Sequence, residues 1–180
     1  MANDLKSVLL TREEIAQKVR QIGREINADY RGEEIIVACV LRGGFVFCAD
    51  LVRELSMPMT IEFLVASSYG AQSQSSGNVQ IKKDFETDIS GKHVLLVEDI
   101  VDSGLTLSRL KEMLMVRQPA SLKICTLLNK PARRKVELVA DYCGFDIPDE
   151  FVVGYGLDYA GHYRNLKDIC ILDESVYANH

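Results

Sequence analysis

Glu98-Asp99 and, three residues further on, Asp102-Ser103-Gly104-Leu105-Thr106 bring three carboxylates, two hydroxyls and a glycine into nine positions of the chain. Residues of these types at this spacing could hold a sugar phosphate. Glycine lets the backbone approach a ligand or take positive φ, and Ser103 and Thr106 add hydroxyl donors. If a helix starts here, its first amides lack intrahelical partners and form a ready anion site. A polyphosphate would be repelled by the carboxylates, so the stretch fits one phosphate monoester in the loop with a polyol beside it. Glu98 and Asp99 would then accept hydrogen bonds from sugar hydroxyls, directly or through a hard cation. The loop holds no lysine and no G-x-G-x-x-G opens it, which excludes the Walker A and dinucleotide fingerprints. The plainer alternative is that Asp102 or Ser103 caps a helix and Glu98-Asp99 is an exposed strand end. Six such residues in nine positions favour the functional reading.

The elements that must position these residues follow from patterning. Val94–Val97 is wholly apolar, as in a strand buried on both faces of a parallel sheet. After the loop, Leu107, Leu110 and Leu114 recur at helical spacing. Near the start, Thr11-x-x-Glu14 reads as a capping box, with Ile15, Val19, Ile22 and Ile26 on one helical face. Ile35–Leu41 is a second buried strand ending in Arg42-Gly43-Gly44, and Phe45–Leu55 looks helical. Those two glycines are either turn punctuation or a place where amides face an anion, with the charge of Arg42 nearby. Met59–Ala66 is a third strand. Residues 67–91 are poor in large apolar side chains, although Val79, Ile81 and Phe85 could support a loose hairpin. A long polar loop of this kind is a flexible linker or a lid. Beyond Pro119, Ser121–Leu128 forms another strand, followed by Asn129-Lys130-Pro131 at its carboxyl end, the edge where open α/β sheets bind ligands. Arg133 and Arg134 read as solvated charges. Tyr142–Phe145 and Phe151–Tyr155 read as strands about a turn at Pro148-Asp149; Ile169–Leu172 closes the sheet, and a plain tail follows. On residue type alone Phe151 is core, Asp158 a surface acid and Arg164 a salt-bridge partner.

Composition narrows the function classes. At 180 residues, 47% hydrophobic and 26% charged, the chain suits one globular domain, 1–180, with a sizeable core. A net charge of −5 offers no basic field for nucleic acid or an anionic membrane. The five cysteines are scattered singly without C-x-x-C spacing, and the three histidines show no metal spacing, so buried thiols in a reducing cytoplasm are expected. No run reaches membrane length and MANDLK lacks a signal peptide's apolar stretch.

VLLVEDIVDSGLTL resembles the phosphoribosyl pyrophosphate (PRPP) motif of the type I phosphoribosyltransferases, and the pattern from Leu41 to Leu172 resembles their hypoxanthine-guanine branch. The resemblance implies an α/β fold with a mainly parallel central sheet flanked by helices and a small hood from the termini and the Phe151 region. It implies Mg²⁺-dependent purine salvage, with transfer of a phosphoribosyl group from PRPP to N9 of a 6-oxopurine. Ser103, Gly104, Leu105 and Thr106, with the backbone from Asp102 onward, would hold the 5′-phosphate. Glu98 and Asp99 would bind ribose and, with Asp158, the metal. Arg42, Gly43 and Arg164 would meet pyrophosphate, the first two in a loop with an unusual cis peptide. Lys130 would reach the exocyclic oxygen of the base, Phe151 would stack on it, and the main chain of Val152 would bond its edge. Ser68-Tyr69 would belong to a mobile lid. Asp102 would lie beside N7, as general base or as charge stabiliser. Homo-oligomers, dimers or tetramers, are common in this family. A phosphoribosyltransferase for another base, or a nucleic-acid-binding regulator built on the same fold, are the rival readings.

Overall fold

A computed structural model describes residues 4–68 and 79–178. The chain runs β1 (Leu5–Leu10), α1 (Arg12–Tyr30), β2 (Ile35–Leu41), α2 (Phe45–Val52), β3 (Met59–Ser68), β4 (Val79–Lys83), β5 (His93–Val101) and α3 (Leu105–Met115). It continues with β6 (Ser121–Asn129), a 3₁₀ turn (Pro131–Arg133), β7 (Tyr142–Asp146), β8 (Val152–Val153), β9 (Ile169–Leu172) and α4 (Glu174–Tyr177). Six strands form the main sheet in the order β4-β3-β2-β5-β6-β7, parallel except for β4. The apolar runs of β2 and β5 occupy its centre because only there are both faces covered.

The capping box opens α1 as expected. Glu14 N donates to Thr11 Oγ1 at 3.3 Å and Thr11 N to Glu14 Oε2 at 2.8 Å. Ile15, Val19, Ile22 and Ile26 pack with Phe47 and Leu51 of α2 on one face of the sheet. Leu107, Leu110 and Leu114 of α3 pack on the other, against Val94, Leu96 and Ile124. β2 and β5 are neighbours, but the chain leaves β2 towards β3 and leaves β5 towards β6. The sheet therefore has its topological switch between them, and the crevice at their carboxyl ends is where such folds place ligands.

Several expectations change. β9 does not close the main sheet; it joins β1 and β8 in a separate three-stranded antiparallel sheet, the hood. An apolar run identifies a buried strand without naming its partner, and β1, half-exposed, carries no such run. The strand expected over Phe151–Tyr155 shrinks to two residues, because Gly154, Tyr155 and Gly156 turn away with φ of 99°, 51° and 101°. α2 stops at Val52 rather than Leu55. The chain after β9 is not a plain tail: Asp173 caps α4, and Val176 and Tyr177 pack into the hood.

Candidate active site

Two loops flank the switch point. After β5, the chain turns through Asp102 and Ser103 into Gly104, which precedes α3 with φ +80°. No side chain caps this helix, so its first amides remain available; the closest approach is Leu105 N to Ser103 Oγ at 3.4 Å. The capping role that Asp102 or Ser103 could have taken is thus not taken. Glu98, Asp102, Ser103, Gly104 and Thr106 line a cavity of about 100 Å³, a size that suits a phosphate group. One wall is supplied from a distance. Lys135 N donates to Ser103 O at 2.9 Å, and a Cβ added at Gly104 would lie 3.1 Å from both Arg134 and Val136.

After β2, Leu41–Arg42 is a cis peptide, as the resemblance implied. Gly43 lies directly against the Asp99 carboxylate, and a Cβ there would collide with Asp99 Oδ2. Arg42, Gly43, Asp99, Asp158, Arg164 and Lys82 line a cleft of about 470 Å³. Arg164 is held by two contacts: Nη1 donates to Gly156 O at 2.6 Å and Nη2 pairs with Asp158 Oδ1 at 2.7 Å. Asp158 Oδ2 accepts from Gly161 N at 2.8 Å. A hood loop thereby sets one wall of the cleft opposite a cation, and Gly156 presses on the carbonyl of Gly43.

Adjacent residues of a strand point to opposite faces, and the acid pair uses this. Glu98 lines the small cavity and Asp99 the larger cleft. Burial of the two carboxyls side by side raises both above their ordinary values; for Glu98, burial acts first and the Asp99 charge adds to it. Such a pair gains from a cation or from hydroxyl donors, which suits Mg²⁺ shared between a few carboxylates, phosphate oxygens and water. Asp158 does not complete a protein cage with them: among the described residues no three His, Cys, Asp or Glu side chains form a metal-sized group.

Two further groups of expected site residues follow β6 and precede β8. Lys130 follows β6, anchored by its amide to Val101 O at 2.9 Å, and its side chain is only 5% exposed. Burial lowers its pKa, and the charge of Asp102 partly offsets that effect. Asp102 Oδ1 is buried and accepts no hydrogen bond. Phe151, 36% exposed, stacks on Tyr177 at 5.1 Å between ring centres and meets Tyr159 edge-on at 5.6 Å. Val152 is buried in β8.

Residue type and spacing missed four participants. Arg133 is exposed, as a solvated charge would be, yet it makes an ion pair at the site; Arg134 is not a solvated charge. Arg133 Nε lies 3.3 Å from Asp102 Oδ1, while Arg134 packs half-buried over Gly104 and bonds Asn129 Oδ1. The one signal for them was the rigid Pro131 just before, which turns the chain back over the sheet edge. Lys82 and Tyr177 gave none. Ser68 ends β3, while Tyr69 and the rest of 69–78, part of the expected lid, lie outside the described residues.

A parallel sheet with an uncapped helix terminus on one side of its switch point and a cation-lined cleft on the other has the architecture of a sugar-phosphate-binding α/β protein. A model of the phosphoribosyl transferase domain matches residues 7–160. The chain belongs to the phosphoribosyltransferase family, in its hypoxanthine-guanine branch. It is 49% identical to the hypoxanthine-guanine phosphoribosyltransferase of Mycobacterium avium, covering 97% of this chain and 89% of that one. The corresponding Bacillus subtilis enzyme is 46% identical over 98% of each chain. A solved hypoxanthine phosphoribosyltransferase from Staphylococcus aureus superposes with a TM-score of 0.95 at 45% identity, covering 98% of this chain and 96% of that one.

Proposed function

We propose that this single domain transfers the 5-phosphoribosyl group of PRPP to N9 of hypoxanthine or guanine, releasing pyrophosphate. The carrying observation is that the ends of the adjacent strands β5 and β6 bring the buried Lys130 and an acceptor that receives no hydrogen bond, Asp102 Oδ1, beside an uncapped helix terminus. An ammonium only donates, so Lys130 favours a 6-oxo group and disfavours the 6-amino group of adenine. Asp102 Oδ1 is where a proton on the imidazole ring of the base would be accepted or its charge balanced. Ser103, Thr106 and the amides from Gly104 onward hold the 5′-phosphate, and Glu98 and Asp99 hold the ribose hydroxyls. In the reaction the bond from C1′ to the pyrophosphate oxygen breaks and the bond from C1′ to N9 forms. Arg164 and the amides near Gly43 receive the leaving anion.

Mg²⁺ held by Glu98, Asp99 and, through water, Asp158 would screen the charge of the departing pyrophosphate. Phe151 supplies an aromatic face for the purine and Val152 a backbone edge. Two further readings belong here. Five free thiols suit a cytosolic setting. Phe45, Ile61 and Phe63, each more than 40% exposed, support a homo-oligomer. The test is a spectrophotometric assay with PRPP and Mg²⁺ against hypoxanthine, guanine, xanthine and adenine in turn. Nucleotide formation from the first two, lost on chelation, is expected; turnover of adenine in preference to hypoxanthine would overturn the reading.

No helix among the described residues is long and apolar enough to cross a membrane.

A further inference from the structure

Arg133 does not sit idle at the edge of the purine wall. It ends the 3₁₀ turn that starts at Pro131, and its side chain reaches the loop after β5. Its Nε lies 3.3 Å from Asp102 Oδ1, on the loop after β5, and its Nη1 lies 3.7 Å from Asp149 Oδ1, in the turn before Phe151. One guanidinium is therefore shared by two carboxylates, one on the loop after β5 and one in the turn before Phe151. The contact with Asp102 is an ion pair and not a hydrogen bond. Oδ1 is buried and has no hydrogen-bond donor.

We propose that Arg133 is an electrostatic clasp on the purine slot: it holds Asp102 while the slot is empty and passes to Asp149 when the base takes Asp102. This rests on the reading of Asp102 as the residue that meets the imidazole ring of the purine. The clasp makes base binding a competition. A neutral purine has to displace a cation from Asp102, and Asp149 offers that cation somewhere to go. Both partners are about half exposed, so the competition is modest and screened by salt.

The two ends of the clasp give opposite signs, and a merely structural role would not. Arg133→Gln removes the competitor, so KM for hypoxanthine is expected to fall about two- to five-fold at saturating PRPP, the range of an exposed ion pair. Asp149→Asn leaves the guanidinium wholly to Asp102, so the same KM should rise by a similar factor. KM for PRPP should stay unchanged in both. Raising ionic strength should lower the hypoxanthine KM of the unmodified enzyme and leave that of Arg133→Gln unmoved, and Arg133→Lys should restore part of the salt dependence.

Movement of the two variants in the same direction, or a shift in KM for PRPP matching that for the purine, would overturn the clasp. Asp102→Asn measured alongside separates the two claims. If it leaves kcat intact, the role given to Asp102 is wrong. If it lowers kcat while the clasp variants move together, only the clasp fails.

Discussion

The two loops at the switch point do related work by opposite means. The loop after β5 makes its own shape. A glycine at positive φ, the hydroxyls of Ser103 and Thr106 and an uncapped α3 gather anion-binding groups within a few residues. The loop after β2 is shaped by others: Gly43 rests on the Asp99 carboxylate from β5, while Gly156 of the hood presses on Gly43 O and hands its own carbonyl to Arg164. In the proposed reaction a phosphate monoester stays bound throughout, which a local cradle suits. Pyrophosphate has to leave, which suits a wall assembled from a separate small sheet.

The largest effect should come from the borrowed loop. Gly43→Ala places a methyl on Asp99 Oδ2, and the carboxylate has to leave the cleft. We expect kcat/KM for PRPP to fall at least a hundredfold, about 2.7 kcal/mol of transition-state stabilisation, with the fold retained because the collision lies at a surface cleft. Steady-state kinetics beside a thermal melt check this. A loss below tenfold would mean that the loop is not held by Asp99.

The same contrast explains what was legible in the sequence. The cradle could be read because its parts are contiguous and their chemistry is local; β2 and β5 could be read because burial on both faces enforces an apolar run. Arg42-Gly43 could be read only as an ambiguous turn, since its meaning lies in Asp99 and Gly156, 56 and 113 positions away. The family resemblance implies the hood, but periodicity alone assigns β9 to the main sheet, because β9 pairs with β1 across nearly the whole chain. Arg133 is a surface charge whose ion pair could not be read because its partner belongs to another loop. Local patterns reveal elements and self-made turns, while contacts between distant segments leave no periodicity.

Lys130 extends the contrast to β6, where a single buried cation has no carboxylate within 4 Å among the described residues. Lys130→Met should erode discrimination of hypoxanthine over adenine by about 1–3 kcal/mol, the worth of a charged hydrogen bond. It should also raise the melting temperature. Burial lowers the folded pKa, so the charged form penalises the folded state; that penalty is full below the folded pKa and vanishes above the unfolded value near 10.4. The gain in stability should therefore be largest at neutral pH and shrink as pH rises through the alkaline range. Unchanged selectivity, or a gain that grows with pH, would assign the lysine elsewhere.

A smaller effect is expected at the self-made cradle. Gly104→Ala forces a Cβ into the left-handed region and to within 3.1 Å of Arg134 and Val136. The left-handed backbone alone costs about 1–2 kcal/mol, and the flexible Arg134 can give way. That cost should appear as lost stability in a thermal melt; where the loop relaxes out of the left-handed region to escape it, inorganic phosphate or a nucleotide 5′-monophosphate should bind up to about thirty-fold more weakly by calorimetry. An effect on turnover exceeding that of Gly43→Ala would reverse the proposed division between rigid cradle and borrowed wall.

The smallest effect tests how far the hood reaches. Phe151 receives the purine in the proposed reaction, and Tyr177 of α4 stacks behind it with the rings 30° from parallel. Tyr177→Leu keeps apolar bulk and removes the aromatic pair, worth about 0.5–1.5 kcal/mol. KM for the purine should rise correspondingly, with KM for PRPP and kcat unchanged, because the tyrosine touches Phe151 and neither loop at the switch point. A fall in kcat instead would mean that α4 steadies the pyrophosphate wall through the Tyr159 loop, whose ring also meets Tyr177. The hood would then act on the leaving group as well as on the base.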